Sequence, residues 1–216
     1  MELTRAASAV LGLAALLAAA CARPAPPSAD IQQRPFPDIA GRTVMLLPVQ
    51  AAVPVISMPA SADVTSPPAL LPQEMLLALE AELGYWLQQR APRVRWIMPD
   101  VVERAVRGSP SLEVRPRELT VRDFQRARLE TIGDPLYGEL RRMSALMDAR
   151  VALLPVGALW IAEGGGGGRI HLAAALIDTF GGDVVWYGVV AGTSGARGDA
   201  SVVASVAQAL ARMVPQ

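Results

Sequence analysis

The hydrophobic positions of this chain follow strand-like spacing in some segments and helix-like spacing in others. Two short apolar runs, Thr43–Val49 and Val94–Met98, are typical of buried strands. A longer run, Val151–Ile161, is apolar on both alternating faces, which predicts a central strand covered on both sides. Gln73–Arg90 repeats its leucines at helical spacing. A second helical stripe near the end of the chain consists of Val202, Val206, Leu210 and Met213.

Polar and turn-forming residues predict where further elements begin and end. Asp100 with Glu103 predicts a capping box at the start of a short helix. Asp134 before Pro135 predicts another helix start, and that helix runs to about Asp148. The remaining predicted elements are strands at Ile170–Asp178 and Val184–Thr193, and a final helix capped by Asp199 or Ser201.

These elements follow the order β-α-β-α-α-β-β-β-α, which predicts an α/β (α+β) fold. We expect a single mixed sheet of about five strands with helices packed on it. The first two strands are separated by a helix and are expected to pair in parallel. The last three form an antiparallel meander, followed by the C-terminal helix.

Two segments do not belong to these elements. Ala51–Pro72 is rich in proline and is expected to be a long loop, which is uncommon inside a compact domain. We expect it to form a partner-binding surface, and the alternative is that it covers a sheet edge. Ser111–Thr131 is charged and is expected to be exposed and partly helical.

The amino-terminal residues have the pattern of a bacterial lipoprotein signal. Ala6–Ala20 is an uninterrupted small and apolar run, shorter than a membrane-spanning helix needs. It ends in Leu17-Ala18-Ala19-Ala20-Cys21, which resembles the lipobox. The resemblance implies cleavage before Cys21 and acylation of Cys21, including palmitate. The alternative is a plain secretory signal with an incidental thiol.

The predicted domain organisation follows from this signal. Residues 1–20 are the signal peptide, and residues 21–40 are the lipidated cysteine and a proline-rich tether. Residues 41–216 are a single α/β domain. Ala22 after the cysteine resembles the sorting signal of outer-membrane lipoproteins, so we expect the periplasmic face of that membrane.

Composition and charge exclude several function classes. The 20 basic and 20 acidic residues balance, and the arginines are scattered, which disfavours nucleic-acid binding. The single histidine, His171, and the single cysteine cannot form a zinc ligand set, so no metal or cofactor is expected. We interpret His171 as a partly buried strand residue with a satisfied hydrogen bond. Without a catalytic constellation, we expect no enzyme activity.

Three other features have both a chemical and a structural interpretation. Asp178 and Asp183 are expected to solvate a turn and not to form an acid/base dyad, and Trp186 is expected in the core. Gly164–Gly168 lacks the ending of a phosphate loop and predicts a flexible hairpin connection. The arginines of residues 115–128 favour a solvated face, paired with Glu118, Asp123 and Glu130, over a partner or phosphate site.

Three segments resemble a group of envelope proteins. They are Val44–Pro48, Asp148–Gly157 and Ala175–Trp186. The pattern is similar to the curli secretion-channel lipoproteins, to the lipoprotein activators of penicillin-binding proteins, and to the amino-terminal domain of the Tol translocation protein. The resemblance implies a small α/β domain and leaves the function open, because these relatives differ in function.

Two function classes remain from the sequence. The first is a membrane-anchored accessory lipoprotein that binds another envelope protein. The alternative is a subunit of an oligomeric outer-membrane secretion channel. A channel subunit needs long hairpins that alternate apolar and polar residues to face lipid, and outside the core strands the sequence has none.

Overall fold

A computed structural model of the chain describes residues 35–54, 62–63, 66–125 and 129–216. All of these residues belong to one compact unit. The predicted signal peptide, Cys21 and most of the tether lie outside the described residues. Within the described ranges, no helix is both long and apolar enough to cross a membrane.

The described residues form a mixed sheet with helices. The strands are β1 (Thr43–Leu46), β2 (Ala69–Leu70), β3 (Arg95–Ile97), β4 (Val151–Ala162), β5 (Gly168–Asp178) and β6 (Asp183–Ala191). The α-helices are α1 (Gln73–Arg90), α2 (Pro99–Arg107), α3 (Leu136–Met147) and α4 (Ala200–Met213). Two single turns of 3-10 helix lie at Pro110–Leu112 and Arg122–Gln125.

The sheet has six strands in the order β3-β1-β4-β5-β6, and β2 pairs with β4 beside this path. β1 is parallel to both β3 and β4, whereas β4, β5 and β6 form an antiparallel meander. The predicted α/β fold is therefore confirmed, with its mixed sheet, its parallel first pair and its C-terminal helix.

Helices cover both faces of the sheet. Val44 and Leu46 point to the layer formed by α1 and α4, whereas Met45 and Leu47 point to the layer of α2 and α3. β4 lies between these layers, and all of its residues except Ala162 are buried. This position explains why the sequence of β4 is apolar on both alternating faces.

The segment predicted as a loop at Ala51–Pro72 contributes to the sheet. β1 has four residues and β4 has twelve, so β1 covers only the first part of that edge of β4. The rest is covered by β2, which pairs with Leu159 and Trp160, and by Ala62, which bridges Glu163. In its described part the segment covers a sheet edge, which is the alternative considered above, and the partner-binding surface that we expected there stays a prediction. Residues 55–61 and 64–65 lie outside the described residues.

Two of the three predicted helix starts differ in detail. α2 begins at Pro99, and the Asp100 side chain pairs with Arg104 and not with a backbone N–H, so the capping-box prediction is wrong. α3 begins at Leu136, and the Asp134 carboxylate accepts a bond of 3.1 Å from the Gly138 N–H inside its first turn.

The predicted cap of α4 is confirmed. The Asp199 carboxylate accepts a hydrogen bond of 2.8 Å from the Ser201 N–H. This bond satisfies one of the amide groups that a helix start leaves without a partner.

Two residues inside the predicted tether belong to the core. Phe36 and Ile39 are buried, and the Phe36 ring lies 4.8 Å from the Trp186 ring. The chain therefore packs against the α1–α4 side of the sheet before β1 begins. A shortened chain intended to fold by itself should retain Phe36.

Candidate functional site

The carboxyl ends of β1 and β3 form the part of this sheet where a ligand site is expected. The chain leaves β1 toward α1 on one face of the sheet and leaves β3 toward α2 on the other face. In open α/β sheets, ligands bind in the crevice that such a divergence creates.

Side chains of the chain itself occupy this crevice. The Arg117 guanidinium donates hydrogen bonds of 2.8 and 3.1 Å to the two carboxylate oxygens of Glu80 on α1. Its Nε also lies 2.5 Å from the Glu103 carboxylate on α2. One arginine therefore links the helix layers that cover opposite faces of the sheet.

Backbone groups after β1 complete this cluster. The Val49 N–H donates a bond of 3.0 Å to the Glu80 carboxylate. The buried Gln50 amide donates to the Pro116 carbonyl at 2.9 Å, and its oxygen accepts from the Leu119 N–H at 2.9 Å. These bonds fix residues 116–119 across the end of β1, and a cavity of about 340 Å³ that is lined in part by Glu103, Pro116 and Arg117 lies beside the cluster.

The positive charge of Arg117 is neutralised by the carboxylates of Glu80 and Glu103. Burial alone would lower the pKa of Arg117, but its bonds to Glu80 and the charges of Glu80 and Glu103 outweigh burial and raise that pKa above its ordinary value. Arg117 is therefore a firmly charged structural cross-link. The predicted solvated pairing in this stretch holds for Arg115 with Glu118, at 3.0 Å, but not for Arg117.

The structure separates the other residues that the sequence singled out. Asp178 accepts from Arg150, and Asp183 lies opposite it at the exposed start of β6, so the pair belongs to the turn, as predicted. Trp186 is buried in the core, which confirms its interpretation. Gly164–Gly167 connects β4 to β5, and Gly168 is the first residue of β5, so the predicted hairpin connection is confirmed.

His171 differs from its interpretation in one respect. It is buried on β5, but its Nε2 has no hydrogen-bond partner among the described residues, so the expected satisfied bond is wrong at that atom. Burial lowers the pKa of His171, and the nearby Arg169 lowers it further. No three His, Cys, Asp or Glu side chains come together as metal ligands in the described part of the chain.

The turn between β5 and β6 presents an aromatic side chain that sequence reasoning missed. Phe180 is 66% exposed, the highest value among the large hydrophobic residues that the structure describes as exposed. Its ring lies 5.5 Å from the Arg141 guanidinium carbon and 5.4 Å from that of Arg150. Such distances are typical of cation–π contacts. We refer to residues 179–182 with Arg141 and Arg150 as the Phe180 turn.

Hydrogen bonds fix the backbone of the Phe180 turn. The Tyr137 hydroxyl donates to the Phe180 carbonyl, and the Phe180 N–H donates to the Asp178 carboxylate, each at 2.9 Å. Arg150 donates to the same carboxylate at 3.0 Å, and Arg141 donates to the Tyr137 hydroxyl at 2.7 Å. The ring is therefore presented outward by a defined set of bonds.

Comparisons with known proteins were made for the whole chain. No family model and no curated protein matches it. A variant of the PelC dodecamer from Paraburkholderia phytofirmans is 14% identical, with a TM-score of 0.45 over 84% of this chain and 96% of that chain. The PelC dodecamer from the same organism, in another crystal form, is 10% identical, with a TM-score of 0.40 over 85% and 94%. Both scores are too low to establish a common fold, and the resemblance to envelope lipoprotein families stays a prediction.

Proposed function

We propose that this chain is a lipid-anchored protein of the bacterial envelope that acts as a non-catalytic accessory module and binds another envelope protein through the Phe180 turn. The anchor is acylated Cys21, and the location is the periplasmic face of the outer membrane. The observation that carries the binding proposal is the outward presentation of Phe180 between two arginines.

Physical chemistry favours this turn as a contact point. Aromatic and arginine side chains dominate the energetics of protein interfaces, where a central anchor is surrounded by a polar rim. Phe180 provides the anchor, and Arg150 bonds to Asp178 through its Nε, so its terminal amino groups form no hydrogen bond to the residues that the structure describes. Since the turn is fixed before binding, docking orders fewer groups and loses less entropy.

The filled crevice supports the non-catalytic part of the proposal. The place where an α/β sheet offers a substrate site is occupied by Arg117, Glu80 and Glu103. Binding a substrate there would require breaking an ion cluster that joins three segments of the chain.

Site-specific photo-crosslinking in membranes tests the binding proposal. A photoreactive residue replaces Phe180 in the full-length protein, and the matched control replaces Val101, which is 42% exposed on α2. We expect a cross-linked product with a different envelope protein from position 180 and a much lower yield from position 101. Arg150→Gln should reduce the yield at position 180.

The alternative function gives a different product. A subunit of an oligomeric outer-membrane secretion channel that used this turn would cross-link at position 180 to copies of itself. Equal yields from positions 180 and 101 would contradict the use of the Phe180 turn in either function. The anchor has its own test, because intact mass of the membrane-extracted protein should show acyl groups on Cys21, and a free thiol there would contradict it.

A further inference from the structure

The helix layer formed by α1 and α4 has an outer surface with very little charge. The exposed positions of α1 after Glu74 are Leu77, Ala78, Ala81, Tyr85, Gln88 and Gln89. α4 has one charged residue, Arg212, among its fourteen. The opposite layer differs, because α2 has four charged residues among its nine. We call this surface the outer α1–α4 face.

α1 carries large apolar side chains on its outer side as well as on its inner side. Leu76, Leu79, Leu83 and Leu87 are buried against the sheet and α4. On the outside, Leu77 and Tyr85 are 46% and 55% exposed. Exposed apolar side chains that are rimmed by polar residues are typical of protein interaction sites. The described residues leave the outer side of α1 uncovered.

Five of the exposed positions of α1 are arranged symmetrically about Ala81. At 100° per residue, Glu74, Leu77, Ala81, Tyr85 and Gln88 lie within a stripe about 80° wide. Leu77 precedes Ala81 by four residues and Tyr85 follows it by four. Glu74 precedes it by seven and Gln88 follows by seven.

We propose that the outer α1–α4 face binds the same face of a second copy of this chain, with the two α1 helices antiparallel and crossing at Ala81. A two-fold axis through Ala81 places Leu77 of one copy against Tyr85 of the other. It also places the Glu74 carboxylate against the Gln88 amide, which can donate to it. No like charges on the α1 stripe oppose each other, and the small Ala81 permits close approach of the helices.

The size of the face matches what a specific dimer needs. An 18-residue helix is about 27 Å long, and two neighbouring helices are about 20 Å wide. Their projected area is therefore about 500 Å², and the accessible area of such a corrugated surface is larger. Specific interfaces bury about 800 Å² per partner, and two-fold pairs that use the same patch on both copies are the commonest oligomers.

Cysteine cross-linking in membranes tests this proposal. Helix Cα atoms lie about 2.3 Å from their axis, so helices packed about 10 Å apart place two facing Ala81 Cα atoms about 5.4 Å apart, which is within disulfide range. Ala81→Cys in the full-length protein should give a disulfide-linked dimer on mild oxidation. The control Ala145→Cys, exposed on α3 in the opposite layer, and the unmodified chain, which retains Cys21, should stay monomeric.

A second substitution separates specific pairing from random collision. Tyr85→Arg combined with Ala81→Cys should lower the dimer yield at least tenfold, whereas Tyr85→Phe should retain it. Unchanged cooperative melting will show that these surface variants fold. The proposal is overturned by equal yields from positions 81 and 145, by a product with a different protein, or by no effect of Tyr85→Arg. None of these outcomes affects the Phe180 turn, which lies outside this face.

Discussion

Replacing Arg117 with methionine tests whether the ion cluster at the ends of β1 and β3 holds the two helix layers together. Methionine retains most of the aliphatic length and leaves Glu80, whose side chain is 9% exposed, without its cation. Removing one partner from a fully buried ion pair costs roughly 3–5 kcal/mol. The Arg117 side chain is 35% exposed, so water screens part of this cost.

We therefore expect Arg117→Met to lower the free energy of unfolding by about 2 kcal/mol. For a domain of this size, that corresponds to a fall in the melting midpoint of roughly 4–8 °C. Urea unfolding at neutral pH, monitored by circular dichroism, measures the change in the free energy of unfolding. Glu80 still accepts the Val49 N–H, which keeps the cost below that of an isolated buried carboxylate.

The matched control for this prediction lies two residues earlier. Arg115 pairs with Glu118 at 3.0 Å, but both side chains are well exposed. Because exposed ion pairs contribute little, Arg115→Met should change the free energy of unfolding by less than about 1 kcal/mol. Equal losses for the two variants would refute the reasoning, since burial would then not distinguish the two ion pairs.

Three further predictions follow from single residues. The pKa of His171 is lowered in the folded state, so as pH falls the unfolded chain takes up a proton before the folded one does. The free energy of unfolding should therefore decrease as pH falls through about 6.5. Urea unfolding of His171→Gln should show a flatter pH dependence. Gly157→Ala should cost about 1–3 kcal/mol, because its Cβ would collide with the Ala52 carbonyl oxygen, whereas Gly164→Ala, which meets nothing, should melt like the parent. Burial raises the pKa of Tyr187 to about 12, so the absorbance difference from Tyr187→Phe should show its phenolate only near that pH.

The sequence predicted the elements whose pattern is local and long. α1 was predicted with the bounds that the structure has, because its leucines repeat over about three turns and Pro92 ends the pattern. β4 was predicted as a central strand because burial on both faces leaves an unbroken apolar run. The meander followed from the glycine-rich and aspartate-rich connections that interrupt it.

Short elements and local caps were less predictable. β2 has two residues and forms by pairing with the part of the β4 edge that β1 does not cover. Two residues are too few for a periodic pattern, so the sequence could not predict this strand. The Asp100 and Glu103 pattern fits a capping box, but both carboxylates form ion pairs with arginines in the structure. A capping prediction based on residue spacing alone does not account for an arginine that competes for the same carboxylate.

What the sequence by itself determined was the succession of strands and helices and the chemistry that the chain lacks, because both are properties of neighbouring residues and of composition. What only the tertiary structure decided was which distant side chains meet. Glu80 and Arg117 are 37 residues apart and meet at the ends of β1 and β3. Phe180 is held at the surface by hydrogen bonds from its backbone to Tyr137 and Asp178. Such contacts depend on how the layers pack, and packing places residues together without leaving a repeat in the sequence.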